Sequence, residues 1–396
     1  MCSGGGGGGL VLLLLWTLVC LSAAPADADG AFVWRGFSHA WERRVAGLET
    51  PHRISGFSNN IQNQTHSELV SQAQGNVRFS PGVDGDYAHP QIFFSALYSA
   101  DVVSAEAEVP FRWTDNATHS SDPEARSTLS QKISLNFPSG ASGAQVLLRG
   151  FSMDVFCDPA KQPPGDVCNS NGMWPFRWNM EVGECSPVSP AGQVDCVVDL
   201  EIFRAWNPAD VPPVEKPFNY RLDFDVTLFL TGLASSPGVV SESSFVPTSL
   251  GKVTAEASIQ EGIQEGRELL RGNPELPKSL VGMTGFGFEL LETDFLKKRG
   301  RYLESLVFSV EVMDSQGVGE SALQWRMGFA APVTVFPCKA QYWMSPVLLQ
   351  FSDHARVSML GGEASAPVCD DGHDILFRCS WVGLENQTNN TVLINV

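Results

Sequence analysis

The stretch PFNYRLDFDVTLFL, Pro217 to Leu230, decides the fold class. Phe218, Tyr220, Leu222, Phe224, Val226, Leu228 and Leu230 recur at every second position, with Asn219, Arg221, Asp223, Asp225 and Thr227 between them. Successive side chains of a strand point to opposite faces, so a period of two predicts a long strand with one apolar and one wet face. The same alternation runs through Val103 to Trp113, Ile133 to Phe137, Phe151 to Val155, Trp174 to Val182, Cys196 to Ile202, Leu306 to Val312 and Leu323 to Phe329, with shorter candidates near 341–351 and 374–382. Half-buried strands separated by turn formers predict an all-β, mostly antiparallel fold, arranged as two tandem β-sandwich-like domains.

One or two short helices are expected beside these strands. SHAWERRVAGL, Ser38 to Leu48, offers an N-cap serine and apolar Trp41, Val45 and Leu48 on one side of a helix. In IQEGIQEGRELLR, Ile259 to Arg271, Ile259, Ile263 and Leu270 fall at helical spacing, but Gly262 and Gly266 each cost about 1 kcal/mol relative to alanine. A marginal helix or linker over 251–278 then separates an N-terminal domain, 27–250, from a C-terminal domain, 279–396.

Working outward to the start of the chain, Leu10 to Leu21 read LVLLLLWTLVCL and are followed by Ser22, Ala23 and Ala24. A run of twelve residues, apolar but for Thr17, is too short to cross a bilayer, which takes about 20. A short apolar run before small residues predicts a signal peptide over 1–26, cut after Ala26, although its front end carries no Lys or Arg. No second long apolar run follows and the last residues hold no hydrophobic tail, so neither a transmembrane segment nor a lipid anchor is expected. Asn-x-Thr sequons begin at Asn63, Asn116, Asn386 and Asn389, which fits a secreted glycoprotein.

Seven cysteines lie beyond the leader, and six of them form close pairs. Turn-rich spacers predict the disulfides Cys157–Cys168, Cys185–Cys196 and Cys369–Cys379, leaving Cys338 over. Lys and Arg number 26 against 44 Asp and Glu, a net charge of −18, which disfavours a phosphate-tracking surface, so no nucleic-acid partner is expected.

Catalytic signatures are missing from the sequence. SGASGA, Ser139 to Ala144, lacks the spacing of a nucleophile elbow and reads as a turn. The helical zinc-protease string, the P-loop and the dinucleotide glycine fingerprint do not occur. Asp370, Asp371, His373 and Asp374 in CDDGHD are the residue types that ligate a divalent cation, with Asp353 and His354 as further candidates, but the same residues make a polar turn. Asp84, Asp86 and His89 share that ambiguity. Trp34, Trp41, Trp174 and Trp206 are candidate binding residues, because an exposed indole stacks on a sugar or anchors a protein partner. The expectation is therefore a secreted or cell-surface-associated, disulfide-bonded glycoprotein that acts as a non-enzymatic extracellular protein-binding or adhesion module, with an extracellular protein or glycan as its partner. The alternative is a secreted hydrolase or carbohydrate-binding protein built on the acidic loop.

Overall fold

A computed structural model describes residues 29–42, 53–66, 70–79, 87–99, 101–118, 124–156, 175–205, 219–239, 246–249, 251–258, 263–270, 276, 278–291, 305–317, 320–330, 339–352, 357–365, 375–382 and 391–395. Among them there is no helix, and the strands, numbered in chain order, form three sheets. The first sheet runs β13 (Ile263–Leu270), β16 (Glu320–Ala330), β15 (Ser305–Gly317), β1 (Asp29–Glu42), β4 (Tyr87–Ser99), β18 (Val357–Ser365), β20 (Thr391–Asn395). The second runs β19 (Ile375–Val382), β3 (Val70–Phe79), β2 (Arg53–His66), β7 (Ser142–Phe156), β10 (Asn219–Ser235), β5 (Val102–Thr118). The third runs β11 (Val246–Ser249), β17 (Lys339–Phe351), β14 (Lys278–Leu291), β8 (Pro175–Cys185), β9 (Gln193–Ala205), β6 (Glu124–Asn136), with β12 (Val253–Ser258) also on β17. All pairings are antiparallel except β18 with β20.

Most of the stretch that decides the fold class lies in β10, next to the end of the second sheet between β5 and β7. Phe224, Val226, Leu228 and Leu230 are buried, and Asp223, Asp225 and Thr227 are half-buried between them. From Phe229 onward every residue of β10 is buried, so this end of the strand is covered on both faces. Each Leu or Phe so buried stabilises the fold by about 1.5–3 kcal/mol.

The three sheets meet in one apolar cluster. Val33 and Leu97 come from the first sheet, Val102, Leu147 and Leu233 from the second, and Leu280, Val347, Leu349 and Phe351 from the third. Gly282 makes the approach possible, because a Cβ there would lie 2.4 Å from Val33 Cγ1 and 3.0 Å from Leu147 Cδ1. Further along the same two strands, Phe151 of β7 packs against Phe286 of β14 with ring centroids 5.6 Å apart.

Two expectations are corrected. Ser38–Glu42, the first turn of the expected N-terminal helix, is strand: His39 pairs with Phe308 on one side and Pro90 on the other. Backbone partners on both edges override the weak local preference for helix. Ile263–Leu270 is likewise β13, paired along its length with β16, where the two glycines had already weakened a helix. The segment 251–278 thus carries β12 and β13, and strands from either side of it share all three sheets, as where β14 pairs with β8.

Candidate binding face

The wet side of the third sheet is built on the β8–β9 hairpin. Cys185 and Cys196 stand opposite each other in its register and are disulfide-bonded, with Cα atoms 4.1 Å apart. This is the Cys185–Cys196 bridge that the spacing predicts. In the chain-entropy account, closing a loop of this length stabilises by about 3 kcal/mol.

Beyond the bridge, the hairpin tip is held from several sides. Gly192 N donates to Ser189 O at 2.8 Å, and Gln193 N donates to Ser189 Oγ at 3.0 Å. Phe137 N donates to Gly192 O at 2.8 Å, and Ser139 Oγ donates to Pro190 O at 3.1 Å, which ties the tip to the end of β6. Gly192 has φ +90° and a Cβ there would sit 2.1 Å from Phe137 O, so only glycine fits. Ser139 and Gly140 form the turn expected of SGASGA, and β7 begins at Ser142.

Polar side chains line up across β6, β9 and β8. Thr128, Ser130, Lys132, Ser134 and Asn136 of β6 are exposed, and their partners on β9 include Glu201, Asp199, Asp195 and Gln193. Ser130 Oγ donates to Asp199 Oδ1, Ser134 Oγ donates to Asp195 Oδ1 at 2.6 Å, and Gln193 Nε2 donates to the same oxygen at 2.8 Å. The Ser134 and Gln193 hydrogen bonds hold the Asp195 carboxyl below the ordinary carboxylate range. The row continues sideways. Trp343 of β17 stands opposite Gly287, which stands opposite Asn179, and the indole Nε1 donates to Asn179 Oδ1 at 2.7 Å across the glycine strand. Lys252 Nζ lies 4.7 Å from the ring centroid of Trp343, a buried residue. Next to it, Ser345 Oγ donates to Glu181 Oε1 at 3.3 Å.

A second polar group lies inside the protein. A bulge in the β7–β10 pairing leaves Arg149 opposite the Phe229–Leu230 step. Arg149 is 2% exposed, pairs with Glu106 Oε2 at 3.3 Å and lies 5.9 Å from the Phe229 ring centroid. Burial lowers its pKa, opposed by Glu106 and Glu108. Removing the carboxylate would leave a buried cation, which is costly, but the desolvation of Arg149 offsets much of what the pair itself contributes.

The structure spreads the sequence-predicted residues widely. Trp34 and Trp41 lie in β1, opposite Phe94 and Ala88 of β4. Asn63 lies in β2 beside a register shift, Asn116 lies in β5 opposite Arg221, and Cys379 lies in β19 opposite Ala73. His89 is in β4, opposite Ala40. Outside the described residues fall Asn386, Asn389, Cys157, Cys168, Cys338, Cys369, Trp174, Trp206, Asp84, Asp86, Asp353, His354, Asp370, Asp371, His373 and Asp374. Among the described residues no group of three or more His, Cys, Asp or Glu is placed to hold a metal ion, and no helix is long and apolar enough to cross a membrane.

Sequence reasoning missed the hydroxyl–carboxylate rows. Their signal is present in the polar half of the alternation in QVDCVVDLE, which identifies the wet side but not the serines facing it from β6. No protein-family model matches this chain, and neither a curated protein nor a solved structure matches it.

Proposed function

We propose that this chain is exported through the secretory pathway and acts outside the cell as a non-enzymatic, disulfide-bonded glycoprotein that binds another protein through the polar face of β6, β9 and β8. Its scaffold is sandwich-like, with sheets packed face to face as at Phe151 and Phe286. The observation that carries the reading is the Cys185–Cys196 bridge, which belongs to an oxidising compartment and braces the hairpin under that face. The apolar leader and the four sequons support the same address. Hydrogen bonds between Ser134, Gln193 and Asp195 hold the face in one arrangement, so little ordering entropy remains to be lost on association.

Proximity labelling on cells tests the reading. Protein with Ser130→Arg and Ser134→Arg, two exposed changes that place long side chains on the face, is expected to be secreted normally and to lose its labelled protein partner at least tenfold. Equal labelling by the variant and the unaltered protein contradicts the assignment of this face.

A further inference from the structure

We propose that, of the two sequons within the described residues, Asn116 carries an N-linked glycan and Asn63 does not. The inference rests on export through the secretory pathway, as proposed above, and adds which acceptor is used. Both sequons lie in strands of the second sheet, so one register map compares them. Directly opposed residues of an antiparallel pair share a face, so the ladders divide the sheet into two sets. One set is largely apolar. Val109, Phe111 and Trp113 of β5 stand opposite Leu228, Val226 and Phe224 of β10, which stand opposite Phe151, Met153 and Val155 of β7. Phe151 and Met153 lead on to Asn59 and Phe57 of β2, and these to Val77 and Phe79 of β3. Val109, Phe111, Phe151, Phe224, Val226 and Leu228 are buried, and Phe151 packs against Phe286 of the third sheet. Asn63 falls in this set, because the β2–β3 ladder runs without a register shift from Phe57 to Asn63. Its neighbours in register are Ala73 of β3 and, beyond that, Cys379 of β19.

The other set is polar where Asn116 lies. Glu106, Glu108, Pro110, Arg112 and Thr114 of β5 are exposed, while Ala107, Val109, Phe111 and Trp113 between them are buried or half-buried. Thr114 Oγ1 donates to Asp223 Oδ1 at 2.6 Å, Arg112 Nε donates to Asp225 Oδ2 at 3.0 Å, and the Arg112 side chain is 74% exposed. Asn116, opposite Arg221, continues this exposed series with no register shift. β5 is also the end strand of its sheet, whereas β2 is flanked by β3 and β7. A glycan is bulky and covered in hydroxyl groups, and burying those without partners is unfavourable, so a folded position that carries one must open to water. Attachment forms a bond from Asn116 Nδ2 to the anomeric carbon of an oligosaccharide held on a lipid pyrophosphate. The bond from that carbon to the pyrophosphate oxygen breaks, the lipid pyrophosphate leaves, and the amide nitrogen gives up a proton.

Glycopeptide mass spectrometry on the full-length chain, expressed in cells and collected from the medium, tests this. Enzymatic glycan release in heavy-oxygen water turns each occupied asparagine into labelled aspartate. Occupancy at Asn116 is expected to exceed that at Asn63 by at least about tenfold. Thr118→Ala removes the acceptor sequence while keeping Asn116, and is expected to lose the mass of one glycan. Thr65→Ala does the same at Asn63 and is expected to keep the full glycan mass. Secreted protein with Asn63 occupied, or with Asn116 bare, overturns the assignment and leaves export standing. A chain that stays inside the cell and is bare at every sequon contradicts export and the assignment together.

Discussion

β9 and β17 belong to the same sheet, with β14 and β8 between them, yet their sequences follow opposite rules. In β9 the buried residues Val194, Cys196, Val198, Leu200 and Ile202 alternate with exposed or half-buried Gln193, Asp195, Val197, Asp199 and Glu201. In β17 everything from Tyr342 to Phe351 is buried. Period-two alternation therefore reports a strand with one wet face, and its absence here reports a strand covered on both. The polar residues differ in the same way. Asp195 and Asp199 on β9 meet serines at a surface that water also reaches, whereas Ser345 and Gln350 on β17 meet protein partners, Glu181 and the Leu276 carbonyl, the latter at 3.3 Å.

The comparison breaks most sharply if charge is placed on each strand. Leu348→Asp in β17 buries a carboxylate without a partner and is expected to cost more than about 4 kcal/mol, enough to abolish cooperative urea unfolding. Val197→Asp, at a half-buried position on the wet side of β9 opposite Lys132, is expected to cost less than about 1 kcal/mol. Comparable losses at the two positions contradict the difference in burial.

A smaller effect sharpens the contrast at the point where the three sheets meet. Gly282→Ala drives a methyl group into Val33 and is expected to destabilise by about 1–3 kcal/mol. Val33→Ala empties the same space, so the double variant is expected to lose less than the sum of the single losses in a double-mutant cycle. Strict additivity would mean that β1 and β14 do not touch there.

The smallest expected effect belongs to the wet face. The Asp195 carboxyl is held below its ordinary value of 3.8, so its contribution to stability is fully present above that value and is lost as the pH falls through the lower, folded-state value. Titration followed by NMR is expected to give Asp195 a midpoint below 3.8 that rises in Ser134→Ala and in Gln193→Ala. A midpoint unaffected by either change removes those hydrogen bonds from the account.

Much of this architecture is legible one residue at a time. Phe224, Val226 and Leu228 in β10, and Cys196, Val198 and Leu200 in β9, announce both strand and buried face, because one wet side leaves a period in the text. The Cys185–Cys196 bridge is legible because its two residues close a short turn. Ser38–Glu42 is not, since SHAWE suits either a helix or a strand and the decision rests with β15, far along the chain. Arg149 has the parity of Leu147, Phe151 and Met153, a charge in an apolar series, and nothing local announces the bulge at which it is buried beside Glu106. The Trp343–Asn179 hydrogen bond depends on a glycine in a third strand, a coincidence of register that no local pattern encodes.

Non-reducing peptide mapping of protein collected from the culture medium tests the central claim most directly. The account predicts a mature chain beginning at Asp27 and a linked peptide pair joining Cys185 to Cys196. A chain retained inside the cell, with Leu10 to Leu21 still attached and both thiols free, would contradict it.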